Sequence, residues 1–219
     1  MRFKITGEQR KVFEKQKYIE FENLFSLEQI EEISKQIDTL LSKRLHKLIE
    51  NESPQELYKI GRDLWRDSSD IKNFVTHSTL AQIAGQLFHQ DLMALAYDQI
   101  LQTTIQTGLP SLTPSTLQQK SCIQPLAGGV LIRLQGDSKA SHLLPQNPLN
   151  AVFIAPDLLI PWEMFFQEPS QSVLLITYAP LKARYVFEKT DIHTHALKKL
   201  GYAFGDNLNS TNHPVIYRG

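Results

Sequence analysis

The stretch "YIEFENLFSLEQIEEISKQIDTLLSKRLHKLI", residues 18–49, decides how the chain begins to fold. Tyr18 to Phe21 alternate in polarity like a short strand. Ser26 follows with the profile of a helix N-cap, a short hydroxyl able to accept a free backbone N–H, and Gln29 stands three residues on to close a capping box. Phe25 before the cap and Ile30 after it have the spacing of a hydrophobic staple. Leu27, Ile30, Ile33, Ile37, Leu41, Leu45 and Leu48 recur at three- and four-residue steps, which predicts a helix over 26–49 with one apolar stripe and a solvated charged face. Asn51 to Pro54 ends it.

Further along, the polarity pattern changes twice. "QELYKIGRDLWRDSSDIKNFV" reads as broken helix or loop, and "STLAQIAGQLFHQ" as a short helix capped by Ser78. "MALAYDQIL" then reads as a strand. Between 101 and 150 the only charged residues are Lys120, Arg133, Asp137 and Lys139, and Pro and Gly punctuate short apolar runs. These runs, "CIQPLAGGVLIRL", "NAVFIAP", "DLLIPWEMFF", "SVLLITYAP" and "ARYVFE", predict a β sandwich or barrel rather than βαβ units. "THALKKLGYAFG" predicts a late helix ending near Gly201 or Gly205. The expected organisation is a single domain over 1–219: a helical part to about 90, a β core over about 91–190, and a C-terminal helix and tail over 191–219.

Composition narrows the function. The 219 residues are 42% hydrophobic and 21% charged, so the chain can bury a core and is not of the disordered kind. Lys plus Arg and Asp plus Glu number 23 each, and a chain built to grip a phosphate backbone carries a basic excess that is missing here, so nucleic acid is not an expected partner. The single Cys122 excludes an intramolecular disulfide and any cysteine-based zinc cluster. It lies in an apolar run with no charged sequence neighbour to lower its pKa, so it is expected to be buried and inert. The opening residues hold no apolar leader segment, and no run of about 18 apolar residues occurs, so the chain is expected to be cytoplasmic, without a membrane partner.

The combination of stretches is familiar. "KYIEFENLFSLEQIEEISKQID" resembles the opening of phytanoyl-CoA-dioxygenase-like proteins, with their strand, turn and capped helix. "LAQIAGQLFHQDLMALAYDQIL" resembles the family's next landmark, a helix feeding a strand that ends in Asp-Gln, and "SHLLP" at Ser141-His142 resembles its "GSH" segment. "PDLLIPW" and "SVLLITYAP" resemble its late strands, and the likeness extends to uncharacterised chlamydial members of the fold. It covers roughly residues 12–190. The resemblance implies an α+β, mainly β fold: the double-stranded β-helix (jelly-roll, cupin-like) core of Fe(II)/2-oxoglutarate dioxygenases, with flanking N-terminal helices.

The same resemblance shows what is missing. Such enzymes use His-x-Asp/Glu and a distal His as a facial triad, and an Arg or Lys for the far carboxylate of 2-oxoglutarate. In the family the His-x-Asp lies between the strand matched by "AYDQIL" and the "GSH" segment, and residues 102–141 contain no histidine. Pro161 or Trp162 stands near the position of the distal His, and Gln171 or Ser172 near that of the carboxylate-binding Arg. The triplet His89-Gln90-Asp91 falls upstream, at a helix-to-strand junction, where it reads as an exposed corner. His89, Asp91 and His142 are therefore weak metal candidates. Asp191, His193 and His195 in "DIHTH" could bind metal from one face of a strand, but the following "ALKKLG" favours a helix start with Asp191 or Thr194 as cap. Gly128-Gly129 lacks any phosphate-loop context and reads as a turn or bulge.

The expected function is thus a non-catalytic binding or interaction protein on a dioxygenase fold, without cofactor, and with no catalytic residue assigned. The alternative is an active non-haem iron oxygenase with unusual ligands, using Fe(II) and 2-oxoglutarate. A divalent-cation-dependent DNA-binding regulator comes third, resting on the few basic residues of "THALKKLG" and "SKRLHKLI".

Overall fold

The computed structural model describes residues 3–108, 113–136 and 143–219. The helical part comprises α1 (Gly7–Gln16), α2 (Leu27–Leu45), α3 (Pro54–Ile60), α4 (Ser69–Val75) and α5 (Ser78–Leu87), with strand β1 (Tyr18–Phe21) between the first two helices. There follow β2 (Leu92–Gln102), β3 (Ile123–Gln124), β4 (Gly128–Gln135), β5 (Ala151–Ile154), β6 (Ser172–Pro180), β7 (Arg184–Tyr185) and β8 (Val215–Arg218). Six strands form one sheet in the order β1-β5-β4-β6-β2-β8, every neighbouring pair antiparallel; β3 and β7 make a separate two-stranded sheet.

The capped start of α2 is as the pattern predicts. Ser26 Oγ accepts from Gln29 N and Gln29 Oε1 accepts from Ser26 N, while Ile30, Ile33, Ile37 and Leu41 are buried. The helix ends four residues earlier than expected, at Leu45, because His46 takes a left-handed conformation that closes the last turn. Leu48 therefore leaves the stripe and is exposed; Leu27, in the first turn, is exposed as well, and Leu40 is buried. Ser78 is not a cap: it is the first residue of α5, and His77 occupies the cap position without a side-chain bond. The predicted late helix is a 3-10 turn over Ala196–Leu200 that ends at left-handed Gly201. The sheet also reaches beyond the predicted β core, since β1 and β8 form its edges.

The sheet has two buried faces. On one, Leu95, Ile100, Val130, Ile132, Phe153, Leu174 and Ile176 pack against the helices. On the other, Tyr97, Leu101, Leu131, Val152, Ile154, Val173 and Leu175 pack against Ile123, Tyr185, Trp162, Phe165 and Phe166. A bulge in β2 between Leu95 and Tyr97 turns both Ala96 and Tyr97 to the second face and resets the alternation beyond it. Gly128 and Gly129 open β4 rather than forming a turn. A Cβ on Gly128 would meet the Phe88 ring at 2.5 Å and the Ile154 carbonyl at 2.8 Å, so glycine is needed for the close approach of strand and helix end.

Candidate functional site

The second face carries the unusual chemistry. Beyond α3 the chain runs along the edge of β2: Ile100 N–H donates to Gly61 O, Asp63 N–H donates to Asp98 O, and Arg62 pairs with Gln99. A Cβ on Gly61 would collide with Ile100 Cγ2, so only glycine lets the segment lie this close. The register sends Arg62 inward. Its guanidinium lies 4.0 Å from the centroid of the Tyr97 ring, its Nε donates to Gln99 Oε1 at 3.2 Å, and its Nη1 donates to both carboxylate oxygens of Asp191 at 2.9 and 3.0 Å.

Asp191 is supplied from the far end of the chain, in the loop after β7. Besides Arg62 it accepts Cys122 N–H and His193 N–H, both at 2.8 Å. Burial disfavours the ionised form of each partner. For Asp191 the Arg62 charge and the two N–H donors outweigh it, holding the carboxyl below its usual range. For Arg62 the Asp191 charge likewise outweighs burial and keeps the guanidinium protonated. The surrounding groups stay neutral. Burial raises the Tyr58 and Tyr97 hydroxyls and the Cys122 thiol, the expected inert cysteine. Burial, reinforced by Arg62, lowers His193 to about 3, and its Nε2 has no partner among the described residues.

The same loop is clamped from both faces of β2, by Asp98 on the helix side and by Gln99 on the Arg62 side. Asp98 accepts Leu64 N–H at 3.1 Å and Trp65 N–H at 3.2 Å, and Gln99 Nε2 donates to Tyr58 O and Ile100 O. Burial, then repulsion from Asp63, pushes the Asp98 carboxyl up to about 7 despite those donors. Arg44 of α2 ties in from outside, donating to the carbonyls of Ile60, Arg62 and Asp63 and to Asp67. The Asp-Gln end of "AYDQIL" is thus what seats Arg62.

The residues singled out in the sequence do not converge. His89 is exposed in a left-handed turn, 3.6 Å from Glu14 Oε1, and Asp91 is at the rim, where its carbonyl accepts Gly219 N–H. His142 lies outside the described residues. Asp191 is not an exposed helix cap, because Arg62 takes it inside; Thr194 Oγ1 accepts Glu188 N–H, and His195 is exposed between Phe187 and Phe204. Trp162 is buried in the inner face with its indole N–H on Ser115 O. Gln171 and Ser172 lie beside Thr103 and Gln102, at the end of β2 away from Tyr97; the side-chain amide of the buried Gln171 has no partner among the described residues. No three His, Cys, Asp or Glu side chains stand together as a metal-binding group among the described residues. Arg62 escaped sequence reading, and the one local signal for it was Gly61 before it in a broken-helix stretch.

No protein-family model and no curated protein matches the chain. Solved structures do, and they show the fold: it is shared with non-haem Fe(II)/alpha-ketoglutarate-dependent enzymes. The carbocyclase SnoK of nogalamycin biosynthesis, described as non-haem and alpha-ketoglutarate dependent, superposes with a TM-score of 0.71 at 12% identity, over 96% of each chain. The epimerase SnoN from the same biosynthesis gives 0.68 at 13%, over 96% of this chain and 98% of its own. CT296 from Chlamydia trachomatis gives 0.51 at 14%, over 82% of this chain and 97% of its own, in line with the chlamydial resemblance.

Proposed function

We propose that this chain is a non-catalytic binding protein on a jelly-roll oxygenase scaffold, the six- and two-stranded sheets being the two walls, with an inner face organised by a buried ion pair. The observation that carries this reading is the commitment of Asp191. A facial triad needs a carboxylate and two imidazoles with free lone pairs aimed at one point and open positions beside them. Asp191, the carboxylate of the inner face, already accepts two bonds from Arg62 and two from backbone N–H groups. A cation bound there would sit against a guanidinium and strand it without its counter-charge in a buried site. The groups beside it, Tyr58, Tyr97 and Cys122, are held neutral by burial. The donor set does not fit Fe(II).

An active oxygenase with unusual ligands remains the second reading, favoured by the end-to-end match to SnoK and by the unpartnered Nε2 of His193. The experiment that separates the two is an anaerobic thermal-shift series with Fe(II) and 2-oxoglutarate, singly and together, beside a succinate-release assay. A ligand at 100 times its Kd adds about 2.7 kcal/mol, a shift of a few degrees for a domain of this size. The expected result is no shift and no turnover. A cooperative shift that needs both compounds would sink the non-catalytic reading.

A further inference from the structure

The loop that delivers Asp191 to Arg62 also presents large apolar side chains outward. Phe187 is 60% exposed and Ile192 61%, and Phe204 is also exposed. Phe187, His195 and Phe204 pack into a triangle with ring centroids 5.7 to 6.0 Å apart. These groups cannot retreat into the core, because the loop is pinned from beneath. Asp191 is held by Arg62, Thr190 Oγ1 donates to Gln119 O, Glu188 N–H donates to Thr194 Oγ1, and Val186 N–H donates to Cys122 O. A pinned loop with outward aromatic and aliphatic tips implies a surface that covers them.

The charge around the tips says which surface. Lys189, Lys198 and Lys199 are exposed, and Lys198 Nζ lies 4.9 Å from the Phe204 ring centroid. Of the two acids between 187 and 204, Asp191 is buried on Arg62 and Glu188 is half-buried and accepts from Thr190, while Asp206 just beyond is exposed and accepts Ala203 N–H. The patch is therefore apolar at its tips and cationic at its flanks, on a chain with no net charge. Stacked nucleobases need free, flat ring faces, whereas these rings meet one another at 42° to 84°. A single aliphatic tip such as Ile192 suits hydrocarbon better than bases.

We propose that this patch is a peripheral docking site for an anionic phospholipid surface, with Phe187 and Ile192 entering the interface and Lys189, Lys198 and Lys199 meeting the headgroups. It is independent of whether the interior binds iron. No helix of the described residues is long and apolar enough to cross a membrane, so attachment would be interfacial.

The test is flotation of the full chain with vesicles of phosphatidylcholine alone or with about one-third phosphatidylserine, near 0.1 M salt. Binding is expected to the anionic vesicles only. F187S/I192S should weaken it at least tenfold, since each side chain gives up its apolar transfer. K189E/K198E/K199E should abolish it, each lysine contributing about fivefold near such a surface. All five side chains are exposed, so the thermal midpoints should stay within roughly a degree of wild type. Absence of binding to both vesicle types, equal binding to both, or binding that survives both variants would overturn the proposal. So would a single-stranded oligonucleotide that binds the patch, with the same loss in the variants, while vesicles do not.

Discussion

The two faces of the six-stranded sheet are built by different rules. The helix-facing side is an apolar core, in which Ile33, Ile37 and Leu41 of α2 share a cluster with Leu95, Ile132, Phe153 and Ile176, and its polar exception is the Asp98 clamp at the loop after α3. The other side is also apolar around Tyr97, Trp162 and Tyr185, yet encloses a charged pair at 6% and 1% side-chain exposure. Apolar packing tolerates substitutions of similar volume, whereas a buried ion pair demands both partners at once. Single substitutions on the first face should therefore be cushioned by repacking, whereas loss of either charge on the second should not.

The largest expected effect breaks that contact. D191A leaves Arg62 charged and unpaired, which should cost about 3–5 kcal/mol in urea unfolding. The double variant R62M/D191L should recover most of that loss, because two apolar side chains of similar volume need no counter-charge. If the double variant is as unstable as the single one, the pair is not what organises the inner face.

On the helix side the matching test is L41A, at a fully buried position of α2. The expected loss is about 3 kcal/mol, the sum of lost apolar transfer and an incompletely closed cavity. A loss clearly larger than that of D191A would reverse the comparison.

The pH dependence should also divide between loops and faces. His213 is fully buried, its Nδ1 lies 3.2 and 3.1 Å from the carbonyls of Leu95 and Ala96, and burial, then Arg66, lowers it to about 4. The unfolded chain takes up this proton near 6.5, so stability falls as pH drops from 6.5 toward 4, by roughly 2 kcal/mol at pH 5. H213Q should flatten that slope in pH-dependent thermal unfolding. Asp98 acts in the opposite sense. Its folded value of about 7 lies above the usual 3.8, so its contribution is whole below about 4 and is lost as pH rises through 7. D98N should therefore be less harmful at pH 7.5 than at pH 4, and the reverse ranking would refute the assignment.

The smallest expected effects are at the rim. H89A and D91A should each change stability by less than about 0.5 kcal/mol, since both residues lie at the edge outside the two clusters. They should also leave any Fe(II)-dependent thermal shift unchanged. A metal response lost in either variant would move the functional centre from the inner face to this corner.

What the sequence determined by itself was local. The Ser26 capping box, the stripe of α2, the apolar runs that became β4, β5 and β6, and the buried character of Cys122 each depend on residues within a few positions of one another, so spacing alone exposes them. Boundaries were less legible: His46 closed α2 early and α5 took His77 as its cap, because tertiary contacts trim helix ends as propensity does not. The site was legible in one half only: Asp191 stood out, as a metal candidate or a helix cap, whereas Arg62 lay unmarked in a stretch of broken helix or loop 129 residues away. Only the tertiary structure brings them together, through Gly61 against β2 and the Asp98-Gln99 clamp, and only burial turns two commonplace charges into a contact on which the inner face depends.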